Sequence, residues 1–150
     1  MIYWFTGQPA QGKTVLSRRL ERYLRNNYPK KKAYIIDGDE LRSLINNKDY
    51  TEQGRRTNMK IAQGIASYLH NKNFTVLVAL VSPYRDLRED FKKQWGENIK
   101  EIFIHSTRKT ERDHYRVSNY QEPLDNFLDI DTSFDDINES FNKLKKLLEL

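Results

Sequence analysis

Apolar residues fall in short runs divided by polar, turn-forming stretches, and the length and period of each run predict its element. Residues 2–5 form a compact apolar run that predicts a buried strand. From Lys13 to about Asn27 the period becomes helical: Val15, Leu16, Leu20, Tyr23 and Leu24 are expected near one face, with Arg18, Arg19, Arg22 and Arg25 on the other. Pro29 and the run Lys30-Lys31-Lys32 mark a solvated connection. Residues 33–36 read as a second strand, ending in Asp37-Gly38-Asp39. Residues 41–45 predict a short helix. Thr51 is placed to cap a longer one, with Glu52 in its first turn; there Met59, Ala62, Ile65, Ala66 and Leu69 recur at helical spacing. Residues 75–81 are the most hydrophobic stretch and rich in Val, as a central parallel strand requires, and Pro83 ends it. Residues 87–95 and 107–117 are expected as helices, and 99–105 and 127–130 as strands. Ser133 with Asp136 resembles a capping box. It precedes a closing helix whose inner face carries Ile137, Phe141, Leu144 and Leu148.

Strands alternate with helices along the chain. This predicts the α/β class: a three-layer α/β/α fold around a parallel sheet of about five strands, with right-handed crossovers placing helices on both faces. The length of 150 residues fits one domain, 1–150, and no internal repeat or linker divides it.

Composition narrows the chemistry. The formal charge of +5 suits an anionic small-molecule substrate and is too mild to argue for nucleic acid. The chain has no cysteine, so disulfides, thiolate catalysis and cysteine metal sites are excluded. No apolar stretch approaches the roughly 20 residues needed to span a bilayer. The first strand-like run begins at Ile2, which leaves no room for a signal peptide, so a cytoplasmic protein without a membrane partner is expected.

The strongest local signal is Gly7-Gln8-Pro9-Ala10-Gln11-Gly12-Lys13-Thr14, a full Walker A pattern between a strand and a helix. Gly7 and Gly12 let the backbone wrap closely around phosphate. The helix N-terminus adds partial positive charge. Lys13 is expected to bridge the β- and γ-phosphates of ATP, and the Thr14 hydroxyl to ligate Mg²⁺. In open parallel sheets ligands sit at the carboxyl ends of strands, which is where Asp37 and Asp39 stand. Asp39 can orient a hydroxyl or take its proton; alternatively both aspartates cap the next helix.

Taken together these segments resemble the adenylylsulfate kinase (APS kinase) family, a group of P-loop kinases. The resemblance rests on the Walker A loop, Asp37-Gly38-Asp39-Glu40-Leu41-Arg42, the stretch from Tyr50 to Asn58, and Val81-Ser82-Pro83-Tyr84-Arg85. Glu111-Arg112-Asp113 and Tyr120-Gln121-Glu122-Pro123 are similar to the ends of the family's lid. The resemblance implies transfer of the γ-phosphoryl group of MgATP to the 3′-hydroxyl of adenylyl sulfate. It implies Asp39 at that hydroxyl, with Asp37 beside it. Arg42, Arg55 and Asn58 are implied on the phosphosulfate, Tyr50 on the acceptor adenine, Val81 and Ser82 against the acceptor, and Arg112 near the ATP adenine. A homodimer is kept open.

Three features depart from the family. The lid is short, since Pro123 follows Asp113 within ten residues, and it lacks the usual lysine, for which Arg116 is the nearest candidate. The Gln-Pro-Ala-Gln filling of the phosphate loop replaces a Gly/Ser-rich one. With the first strand-like run beginning at Ile2, the N-terminal extension common in the family is not expected. Two other readings stay open: a kinase for a different nucleoside, nucleotide or nucleic-acid hydroxyl, and a nucleotide-binding protein without catalysis.

Overall fold

The computed structural model describes residues 1–109 and 115–150. Five strands form one parallel sheet: β1 (Ile2–Thr6), β2 (Ala33–Asp37), β3 (Thr75–Ala79), β4 (Ile99–His105) and β5 (Leu128–Asp131). Their order is β2-β3-β1-β4-β5. The strand carrying the phosphate loop is therefore central, with Phe5 registered against Ala79 on one side and Ile102 on the other. The connecting helices are α1 (Lys13–Asn27), α2 (Gly38–Ile45), α3 (Glu52–Asn71), α4 (Arg85–Trp95) and α5 (Ile137–Leu147).

The two-residue period of the strands sorts the core into two layers. Tyr3, Phe5, Leu77, Ala79, Ile102 and Ile104 meet Leu16, Leu20 and Leu24 of α1 and Phe141 and Leu144 of α5. Ile2, Trp4, Val76, Val78 and Ile36 point the other way, onto Leu41 of α2, Ala62 and Ala66 of α3 and Phe91 of α4. Each large side chain so buried stabilises the fold by about 1.5–3 kcal/mol. This is the layered architecture that the alternation of strands and helices predicts.

Several expectations shift. Val15 is 56% exposed, because the buried stripe of α1 is Leu16, Leu20 and Leu24 and Val15 lies about 100° off it. Ile65 and Ile137 are also only partly covered. Helix α2 starts at Gly38 instead of Leu41, because the Asp37 carboxylate caps it by accepting from the Glu40 N–H at 3.2 Å. Strand β3 ends at Ala79; the chain then turns through Ser82, whose φ of 49° no strand tolerates. Asp136, not Ser133, caps α5, accepting from the Glu139 N–H at 2.9 Å, while Ser133 is buried and receives the Thr107 N–H. Of the helix expected over 107–117, residues 107–109 and 116–117 are not helical, and residues 110–114 lie outside the described residues. Among the described residues no helix is long and apolar enough to cross a membrane.

Candidate active site

The carboxyl ends of β1, β2 and β3 open into a cleft of about 560 Å³. That volume is ample for a nucleotide-sized ligand. Its nucleotide side is the loop between β1 and α1. Gly7 has φ 151°, and a Cβ there would stand 2.1 Å from the Ile104 carbonyl oxygen, so nothing larger fits. Gly12 has φ 101°. Ala10 takes φ 60° without being glycine, a conformation that costs about 1–2 kcal/mol. Lys13 is buried, and its ammonium donates to the Gln8 carbonyl at 2.7 Å. Gln11 is buried as well, and its carbonyl accepts from the Thr132 hydroxyl.

The Thr14 hydroxyl donates to the Asp37 carboxylate at 3.4 Å, so two hard oxygen ligands meet at the mouth of the loop. That pair fits Mg²⁺, which takes one or two protein oxygens and completes its shell with water and phosphate oxygens. Among the described residues no cluster of three or more His, Asp or Glu offers a metal site without such help. Asp37 thus meets Thr14 as well as capping α2, beyond the acceptor-side role implied for it.

The acceptor side is built from the starts of α2 and α3. Asp39 sits in the first turn of α2, exposed on the cleft. Gly38 lets that turn press on β3, since a Cβ would lie 2.9 Å from Leu80 Cδ2. Arg42, one turn on, donates to the Asn47 and Asp49 carbonyls at 3.1 and 3.0 Å. It also lies 4.1 Å from the ring centroid of Tyr50. Arg55 donates to the Tyr50 carbonyl at 2.9 Å, its guanidinium 5.6 Å from the same ring. Both arginines therefore hold the aromatic in place as well as facing the cleft. The Thr51 hydroxyl and amide both donate to Asp49, which holds that carboxyl below its ordinary pKa. Thr51 caps α3 as expected, accepting from the Gly54 N–H at 3.4 Å. Asn58 lines the cleft from a buried position, and its Oδ1 has no hydrogen-bond partner among the described residues.

The back wall is Val81 and Ser82. The Thr6 hydroxyl donates to the Val81 carbonyl at 2.8 Å, and the Trp4 indole donates to the Ser82 hydroxyl at 3.0 Å. Ser82 is buried, and its carbonyl takes a bond from Arg88. Tyr120 donates its hydroxyl to Thr6 at 2.8 Å, and burial pushes its pKa up to about 12.

Asp37, Asp39, Arg42, Tyr50, Arg55, Asn58, Val81 and Ser82 all line one cleft with Pro9, Ala10, Lys13 and Thr14. Gly7, Gln8, Gln11 and Gly12 shape the loop behind them. Arg112 lies outside the described residues. Sequence reasoning misses Arg88, Lys92 and Glu101, which brace the back wall. The available signal is Glu101 itself, a lone carboxylate inside the apolar strand Ile99–His105.

The profile of the adenylylsulphate kinase family matches residues 1–136. The chain belongs to the adenylylsulphate kinase family. It is 32% identical to the adenylyl-sulfate kinase of Prochlorococcus marinus, across 100% of this chain and 84% of that one. It is 28% identical to a cytidine diphosphoramidate kinase of Campylobacter jejuni, across 89% of this chain and 79% of that one. The Mycobacterium tuberculosis APS kinase in complex with AMPPNP and APS has the same fold. Its TM-score is 0.81 at 24% identity, over 99% of this chain and 97% of that one. The sheet order and the phosphate loop are thus those of an adenylylsulphate kinase family member and P-loop phosphotransferase.

Proposed function

We propose that the protein transfers the γ-phosphoryl group of MgATP to the 3′-hydroxyl of adenylyl sulfate. The observation that carries this reading is the sharing of one cleft by Lys13 and Thr14 with Asp39, Arg42, Tyr50, Arg55 and Asn58. The acceptor oxygen bonds to the γ-phosphorus as the bond to the β,γ-bridging oxygen breaks. ADP leaves, and the hydroxyl proton passes to Asp39 and then to solvent. Positioning and charge neutralisation are the main demands of this transfer. Lys13 meets the phosphate end. The remaining N–H groups of Arg42 and Arg55 suit a planar grip on phosphate or sulfate oxygens. Tyr50 offers an exposed ring for stacking a base, and Asn58 lines the same cleft. Mg²⁺, held by Thr14 and Asp37, would neutralise charge on the nucleotide's phosphate oxygens. The cysteine-free composition supports placing this activity in the cytoplasm. Whether two copies pair as a homodimer is left open by this reading and is decided by light scattering.

The test is a thermal-melt screen with MgADP present and acceptors added singly, followed by an ATP-turnover assay. Adenylyl sulfate should shift the melt and stimulate turnover well beyond nucleosides, oligonucleotides or cytidine nucleotides. Preference for a cytidine acceptor would move the chain to the chemistry named for its Campylobacter relative. ATP binding without transfer to any acceptor would support the non-catalytic reading.

A further inference from the structure

The side chain of Gln8 does not stay in the phosphate loop. Its amide nitrogen donates to the Val117 carbonyl at 2.7 Å, and its amide oxygen accepts the Val117 N–H at 2.8 Å. One side-chain amide thus satisfies both backbone groups of one residue, as a neighbouring strand would. The partners are 109 positions apart in sequence, so the clamp joins the first loop of the chain to the segment that follows β4. The carbonyl of the same Gln8 accepts the ammonium of Lys13 at 2.7 Å.

The clamp places a cation. Arg116, next to Val117, lines the cleft shared by Lys13 and Asp39. Of the other cleft cations, Lys13 is bonded to the Gln8 carbonyl, Arg42 to the Asn47 and Asp49 carbonyls, and Arg55 to the Tyr50 carbonyl. Arg116 is exposed and makes no hydrogen bond or ion pair with the described residues. An exposed arginine alone would be a solvated side chain. This one is followed directly by backbone that is anchored at more than one point. Gln8 holds Val117, and beyond it Tyr120 bonds Thr6 while the Gln121 N–H donates to the Pro83 carbonyl at 2.9 Å.

We propose that Gln8 is a positioning residue that holds the Val117 backbone so that the Arg116 guanidinium faces the phosphoryl group in transit. The inference rests on the kinase reading above. Charge on the transferring phosphoryl group spreads over three oxygens, and a fixed cation lowers its energy without having to reorganise. A cation on an unclamped segment loses that advantage, because displacement by about 1 Å costs as much as a hundredfold in rate.

The experiment compares wild type, Gln8→Met, Arg116→Ala and the double variant. Methionine keeps the length of Gln8 and removes both hydrogen bonds. In the MgADP-bound protein, Val117 amide exchange read by NMR should accelerate at least about tenfold in Gln8→Met, whatever the acceptor. In phosphoryl transfer, each single variant should lower kcat roughly tenfold while leaving the KM for ATP within about twofold. The double variant should be no slower than the slower single variant, because both changes remove one contact. Unchanged exchange, undiminished kcat, or multiplying losses would each overturn the proposal. If adenylyl sulfate is inert but another acceptor turns over, the acceptor reading fails, and the same comparison is made with that acceptor. A chain that transfers phosphate to nothing refutes both.

Discussion

Arg88 and Glu101 face each other at 2.8 Å between α4 and β4, each with only 1% of its side chain exposed. Lys92 closes on the other carboxylate oxygen at 2.8 Å. Arg88 also donates to the carbonyls of Ser82 and Gln121, so one buried guanidinium ties the back wall of the cleft to the segment after Tyr120. Removing one member of such a group leaves charge buried and unpaired, which costs about 3–5 kcal/mol. Glu101→Ala should therefore lower the urea unfolding free energy by about that much. Arg88→Met combined with Glu101→Leu should recover part of the loss. The double variant should still transfer phosphate poorly, because Ser82 and Gln121 have lost their donor. A single variant as stable as wild type would contradict this account.

Asp39 is separable from the fold because the neighbouring Asp37 does the capping. Asp39→Asn should reduce kcat by about a hundredfold or more. Its melting temperature and MgADP affinity should stay near wild type, as for an exposed site whose change costs under about 0.5 kcal/mol. Differential scanning calorimetry and nucleotide titration check both. Loss of folding would show that Asp39 is structural.

Two glycines should answer alanine oppositely. At Gly7 a Cβ would meet the Ile104 carbonyl oxygen at 2.1 Å, so Gly7→Ala should abolish nucleotide binding and destabilise the protein. At Gly64, inside α3, a Cβ would meet nothing within 4 Å. Gly64→Ala should stabilise by about 0.5–1 kcal/mol at unchanged activity, since it removes backbone freedom from the unfolded chain. Calorimetry on the pair reads both outcomes.

Tyr120 links stability to alkaline pH. Burial raises its folded pKa from 10 to about 12, whereas in the unfolded chain it titrates near 10. The folded state therefore holds the proton longer. The contribution is fully present below pH 10 and is lost as pH rises toward 12, about 2–3 kcal/mol in all. Urea midpoints measured from pH 8 to about 11.5 should fall more steeply for wild type than for Tyr120→Phe. Some slope should persist in the variant, because burial also raises the pKa values of Tyr3 and Tyr84. Parallel curves would place the effect elsewhere.

What the sequence discloses is what local spacing encodes. The Walker A loop, the Asp37-Gly38-Asp39 turn and the strand runs are contiguous signals, and the sheet order brings their ends together as expected. The bracing of the site is non-local. Gln8 and Val117, or Arg88 and Gln121, give no sign of one another until the sheet is assembled. The helix expected over 107–117 reflects propensity alone. At its start, Arg108 instead donates to the carbonyls of Ser133 and Asp135, pairing the chain with a distant loop. The early start of α2 is hidden because its first turn is polar and exposed, leaving no apolar mark before Leu41.

The phosphate grip comes from the first crossover of the chain, whereas the walls that face the acceptor come from the second and third. Selection can therefore rework the residues near Tyr50 and Arg55 while the energy-supplying half is left untouched. A lineage on this scaffold can exchange the molecule it marks without surrendering the means of marking it.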